Sequence, residues 1–326
     1  MSDVALRDVS KVPEPERLNG IPNIGNMMKP SAEAINENTG EKQRKTMDSL
    51  VDISIEKNGT KDSGPEVANS EVEYIDSKDL KDVEDVEDCL KKLLSELGSK
   101  DWVSVCEALN NVRRLSIFHE ESTAGMLGDI ISLVVKSLKN PRSAVCKTAI
   151  MASVDIFKVY NDGIIDSVDP LLVQLLLKSS QDKRFVCEAA DNALIALTSS
   201  VSPLLLLPKL QPYVKNRNPR IRAKASMCIS RSVQRMGPDE IKAFGIDQLV
   251  QVGASQLSDQ LPGSRDAART LLLDLQSIYE KLHTDSSDGH PAESWEEFCQ
   301  SKLSPLSAQA VLRVSNNARE GLVSGS

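Results

Sequence analysis

Aromatic residues make up only 3% of this 326-residue chain, with two Trp, four Tyr and five Phe. A mixed fold centred on bulky rings, as in many enzymes, is therefore not expected; Leu, Ala, Val and Ser must fill the interior. Histidine is scarce as well, and His119, His283 and His290 lie neither at metal-ligand spacing nor near a nucleophile. The six cysteines form no Cys-x-x-Cys pair and no Cys/His spacing, which argues against a zinc site and against a disulfide scaffold. The glycines build no phosphate-binding loop, since Gly237-Pro238 and Pro262-Gly263 are turn pairs. Long apolar runs are missing too: residues 204–207 are bracketed by Pro203 and Pro208 and are far too short to span a bilayer. Near the N-terminus Asp3, Arg7 and Asp8 interrupt any apolar stretch, so no signal peptide is expected. These absences lead to the expectation of a soluble cytoplasmic protein that is not an enzyme, has no metal or other cofactor, and does not insert into a membrane.

What is present is segregated charge and a repeat. Residues 1–98 hold 13 Lys/Arg against 22 Asp/Glu, residues 99–282 hold 23 against 19, and residues 283–326 hold 3 against 6. An acidic arm on a mildly basic body points to an acidic protein partner. The surplus of cations is too small for a nucleic-acid binder, so no nucleic acid is expected. In the central region a polar turn with a basic residue opens into a small-residue helix about every forty positions. Asn140-Pro141-Arg142 precedes Val145, Asp182-Lys183-Arg184 precedes Val186, and Asn218-Pro219-Arg220 precedes Ile221. Val145, Val186 and Ile221 are 41 and 35 residues apart, and Ser104 and Ser264 fill the equivalent slots 41 and 43 residues outside them. Cys106, Cys146, Cys187 and Cys228 follow at intervals of 40, 41 and 41, as small buried thiols in similar slots would. An all-helical period near forty is the signature of a HEAT/ARM-type α-solenoid, in which a helix pair cannot bury its apolar face alone.

The repeat sets the domain boundaries. Residues 1–84 mix Pro, Asn, Ser, Glu and Lys without persistent apolar period and are read as a disordered acidic arm. Residues 85–282 read as the HEAT-repeat domain. Its first helix carries Leu90, Leu93, Leu94 and Leu97 and stops at Gly98, and later helices end at Asn140-Pro141 and Gly237-Pro238. The last pair is expected over residues 244–257 and 267–282. Residues 283–326 read as a turn-rich linker, short capping helices and a loose tail. There Ser294 and Glu297 have capping-box spacing, and residues 307–314 form an amphipathic stretch suited to docking on the end of the solenoid.

The run from Lys100-Asp101-Trp102 through Ala108-Leu109 to Leu115, followed by Asn140-Pro141-Arg142-Ser143-Ala144-Val145 and Asp182-Lys183-Arg184-Phe185-Val186, resembles the opening repeats of a TOG domain of the CLASP and crescerin/TOGARAM type. The resemblance covers residues 85–282, and it implies an array of five to six helix pairs that binds tubulin or the microtubule lattice. Binding would use the turns inside each pair, aligned on one edge. It matches Trp102 to an exposed apolar anchor in the first turn. It places Asn140, Arg142 and Val145 in the second turn, Lys183 and Arg184 in the third, Asn216, Arg217 and Arg220 in the fourth, and Arg265 in the fifth. Asp182 and Asp259 depart from the basic pattern of the family. Arg and Lys at helix starts oppose the helix dipole, so their recurrence suggests a purpose other than helix stability. The acidic arm is left to recruit a separate protein partner. The alternative is a HEAT/armadillo adaptor that binds a peptide or scaffold without tubulin affinity.

Overall fold

The computed structural model describes residues 74–284 and 293–323, and the described residues form α-helices and short 3-10 turns without a strand. Residues 1–73 of the expected arm and the linker residues 285–292 lie outside them. The folded unit starts earlier than the apolar period suggests. A 3-10 turn at Ser77–Asp79 precedes Leu80, which is buried, so part of residues 74–84 packs on the body.

Helix α1 (Val86–Leu97) begins where the side chain of Asp85 accepts the backbone N–H of Asp88. Helix α2 (Trp102–Phe118) begins where Asp101 accepts from Val103 and Ser104. Both are side-chain caps that satisfy otherwise orphaned donors of the first turn. A short α3 (Glu120–Ala124) leads to α4 (Leu127–Leu138) and α5 (Ser143–Tyr160). A 3-10 segment, Asn161–Ser167, feeds α6 (Val168–Lys178), followed by α7 (Arg184–Ser200). Then come α8 (Pro203–Leu210), a 3-10 turn at Gln211–Lys215, and α9 (Pro219–Gln234). The helix expected over residues 244–257 is α11 (Ile246–Gln256), and a further helix, α10 (Pro238–Phe244), precedes it and ends at Gly245, whose φ of 104° suits glycine. The second helix of the last pair, α12 (Pro262–Thr284), starts earlier than expected, with proline in its first turn.

The helices stack in two layers. The first layer holds α1, α4, α6, α8 and α11, and the second runs α2, α5, α7, α9, α12, each against the next and beside its first-layer partner. A continuous core joins the pairs, and it is filled by Leu, Ile, Val and Ala as the scarcity of rings demands. Val145, Val186, Ile221 and Ser264 all stand at the third position of a second-layer helix and are buried, with Ser104 partly so, which is the physical origin of the forty-residue cadence. Gly253 allows α11 and α12 to approach closely, because a Cβ there would lie 2.9 Å from two atoms of Leu272.

The thiols obey the repeat less strictly than their spacing suggests. Cys146 and Cys187 both lie four residues past the N-cap and donate to a carbonyl of the preceding helix end, Leu138 O at 3.5 Å and Ser179 O at 3.0 Å. Cys106 and Cys228 lie deeper in their helices, and burial pushes the Cys228 thiol up to about 12. All six cysteines are free.

At the C-terminal end, α13 (Trp295–Lys302) and α14 (Pro305–Val323) cover α12, and α14 also touches α11. The Ser294/Glu297 capping box forms as expected, with Glu297 N–H on Ser294 Oγ and Ser294 N–H on Glu297 Oε2. Trp295, Phe298 and Tyr279 make a tight aromatic plug, with centroids 4.6 Å apart for Tyr279–Phe298 and 5.7 Å for Trp295–Phe298. The Trp295 Nε1–H donates to Ser315 Oγ. The final helix continues well past Asn316, where a loose tail was expected.

A stitched edge as the candidate binding surface

Each helix pair turns sharply between its two members. These five turns, around residues 99–101, 139–142, 179–183, 216–218 and 257–261, are tied to one another in order. The guanidinium of Arg142 lies over the Trp102 ring, 5.4 Å from its centroid. Lys183 Nζ donates to Ser143 Oγ at 3.3 Å. Arg220 reaches back to Asp182 at 2.6 Å and to Ser180 O at 3.1 Å. Arg222 pairs with Asp259 at 2.5 Å. Since every turn touches the next, all five share one edge of the solenoid. The partners are 37 to 40 residues apart, so the sequence period reappears as a contact period.

Local chemistry shapes the turns. Asp101 caps α2 and also accepts the Ser104 hydroxyl at 2.7 Å; this hydroxyl and the backbone N–H groups of Ser104 and Val103 hold its carboxyl below the usual range. Asn140 accepts the Arg142 N–H at 2.9 Å, Asn216 accepts the Asn218 N–H at 2.9 Å, and Asn218 caps Arg220 N–H at 2.9 Å. Asn140 and Asn216 thus form Asx-type turns, which accounts for their presence without reference to a partner.

The ten residues singled out in the sequence separate into groups. Arg142, Lys183, Arg184, Arg217 and Arg220 are exposed on the edge, and Arg184 makes an exposed ion pair with Glu188 at 2.7 Å. Trp102 is half-buried and packs on the core, so it is only partly available. Asn140 and Asn216 are half-buried. Val145 is fully buried; it seats α5 in the core and offers nothing to a partner, contrary to its inclusion in the second turn's contact set. Arg265 is half-buried and folds onto its own turn, donating to Asp259 O at 2.7 Å and Gln260 O at 2.9 Å. Arg220 and Arg265 therefore have a structural task as well, since each donates to carbonyls at the end of a helix or in a turn, where the dipole is negative.

The acids also read differently in three dimensions. Asp259 is not a surface charge diluting the fifth turn, because its side chain is only 5% exposed and holds Arg222. Asp182 is exposed and holds Arg220. Two edge residues escaped the sequence reading: Val103 and Phe185, which are 41% and 45% exposed at the second position of α2 and α7. The available signal was that each directly precedes an inward-facing third-position residue, so its own side chain must point elsewhere.

Two layers of paired helices with their inner turns stitched into one edge define a HEAT-repeat array of the TOG type. A model of the CLASP N-terminal family matches residues 117–294, more than half of the chain, and the chain belongs to that family. "TOG array regulator of axonemal microtubules protein 1" of Mus musculus is 26% identical over 204 residues, which is 61% of this chain and 12% of that protein. Its Homo sapiens counterpart is 30% identical over 143 residues, 44% of this chain and 8% of that protein. The chain thus spans a small fraction of the length of these relatives. Among solved structures, the TOG domain of C. elegans Zyg9 superposes with a TM-score of 0.51 at 18% identity, covering 70% of this chain and 82% of that one. This last likeness is one of fold.

Proposed function

We propose that this chain is a non-catalytic tubulin- or microtubule-binding protein that contacts its target through the stitched edge and acts in microtubule organisation or dynamics, in the cytoplasm on the cytoskeleton. The observation that carries the reading is the row of exposed cations, Arg142, Lys183, Arg184, Arg217 and Arg220, on one edge, where Arg142, Lys183 and Arg220 reach back to the preceding turn. A cationic row facing an acidic protein raises the encounter rate and makes binding salt-sensitive. Family membership and the names of the microtubule-regulating relatives support the same target. A single array provides one binding surface, so a role in polymer growth requires a second linked site or a partner. The acidic arm is the segment we assign to recruiting that partner.

Microtubule co-sedimentation of the full chain tests the proposal, with Trp102→Glu and a paired Arg142→Glu/Arg220→Glu variant as controls. The expected outcome is binding by the parent chain that weakens with added salt and falls at least tenfold in the paired variant, whose helical content is checked by circular dichroism. A parent chain that neither pellets with microtubules nor co-elutes with free tubulin in gel filtration overturns the reading in favour of an adaptor.

A further inference from the structure

We propose that Phe185 is a second apolar anchor of the edge, contacting tubulin at a point separate from the one opposite Trp102. This rests on the tubulin reading above and specifies which side chain supplies apolar contact. Phe185 is 45% exposed in a protein with only five Phe, while its neighbour Val186 is 3% exposed and already seats the helix in the core. The fold does not require a ring in this slot: the second positions of the other layer-two helices hold Val103, Ala144, Arg220 and Gly263. Trp102, by contrast, is half-buried and carries the Arg142 guanidinium on its ring, so much of its surface is engaged within the protein.

The surroundings of Phe185 favour an acidic partner with an apolar recess. Lys183 and Arg184 stand immediately before it. The Arg184–Glu188 pair is exposed on both sides and exchanges readily for a carboxylate of a partner. An aromatic ring flanked by cations is the composition that dominates protein interface energetics. Helix α7 is two packing steps from α2 in its layer, so at 8–10 Å per step the ring sits roughly 16–20 Å along the edge from Trp102. Contacts that far apart reach different places on the target and fix its direction along the edge, which a single anchor does not.

Binding of the full chain to tubulin and to microtubules is measured for the parent, Phe185→Ala, Phe185→Tyr and Ile195→Ala. Ile195 is 41% exposed on the same helix, near the end away from the turn, and serves as the control for loss of any exposed apolar group. The expected result is at least a tenfold loss for Phe185→Ala, about 1.4 kcal/mol, with Phe185→Tyr and Ile195→Ala within twofold of the parent. If the parent binds and Phe185→Ala binds equally well, or Ile195→Ala loses as much, the anchor is overturned while the tubulin reading stands. If the parent does not bind, both fall together.

Discussion

Arg113 on α2 and Asp155 on α5 make a buried ion pair whose removal from one side should be severe. The side chains are 1% and 2% exposed, and Nε meets Oδ2 at 2.7 Å. Ser77 donates to Asp155 Oδ1 at 2.6 Å and accepts from Arg113 Nη2, while Asn110 Oδ1 accepts from Nη1. At this separation and an effective dielectric of about 20, the attraction is roughly 6 kcal/mol. Desolvation costs several kcal/mol per ion, so the intact pair contributes little net stability. Replacing Arg113 alone by Met leaves the carboxylate buried and unpaired, with an expected loss of about 3–5 kcal/mol. Adding Asp155→Leu removes that uncompensated charge. The deficit should then shrink to about 1–3 kcal/mol, chiefly from Asn110 losing its donor in the core. Urea unfolding of the full chain, followed by far-ultraviolet circular dichroism, measures both differences. A single variant that loses less than about 1 kcal/mol, or a double variant no more stable than the single, would refute the reasoning. Because α2 and α5 also carry Trp102 and Arg142 at their starts, the same measurement tests what fixes the first two turns in line.

Three further outcomes are expected. Gly253→Ala drives a Cβ into Leu272 and should cost about 1–3 kcal/mol despite the better helix propensity of alanine, and a raised melting temperature would contradict the close approach of α11 and α12. Arg222→Ala leaves Asp259 buried without its cation and should lower stability by about 1.5–3 kcal/mol, whereas truncating the exposed Arg217 should change it by less than about 0.5 kcal/mol; thermal melts of the two variants compare them. Asp101 has a lowered folded-state pKa, so its cap contributes fully above the unfolded value near ~3.9 and loses that contribution as pH falls through the folded value. Accordingly, Asp101→Asn should flatten the acid limb of the stability curve, and an unchanged acid limb would show that the cap does not titrate with folding.

The repeat was legible because it is imposed locally. Each second-layer helix must bury its third residue, so Val145, Val186 and Ile221 had to recur, and Ser294 with Glu297 announced a helix start through groups three residues apart. What escaped the sequence involves partners about forty positions away. Asp259 looked like a blemish on a basic turn because nothing near it signals that Arg222 will lie 2.5 Å from it once repeats stack. The resemblance sets Val145 among the contact residues of the second turn, whereas the helix turns it inward as the third-position anchor of the repeat. The part played by Ser77, in the 3-10 turn before α1, is hidden for a related reason: its hydroxyl is recruited by a buried pair that only exists after α2 and α5 meet.

The segments that flank the array are fastened by opposite chemistry. Before α1, Ser77 bridges the charged pair of α2 and α5; after α12, Trp295 and Phe298 pack on Tyr279 as a cluster of rings. Since each repeat touches only its neighbours, opening can start at either terminus and travel inward. Loss of the Ser77 hydroxyl should therefore free the segment before α1, and loss of a ring from the plug should free α13 and α14 from α12, each without first disturbing the repeats between them.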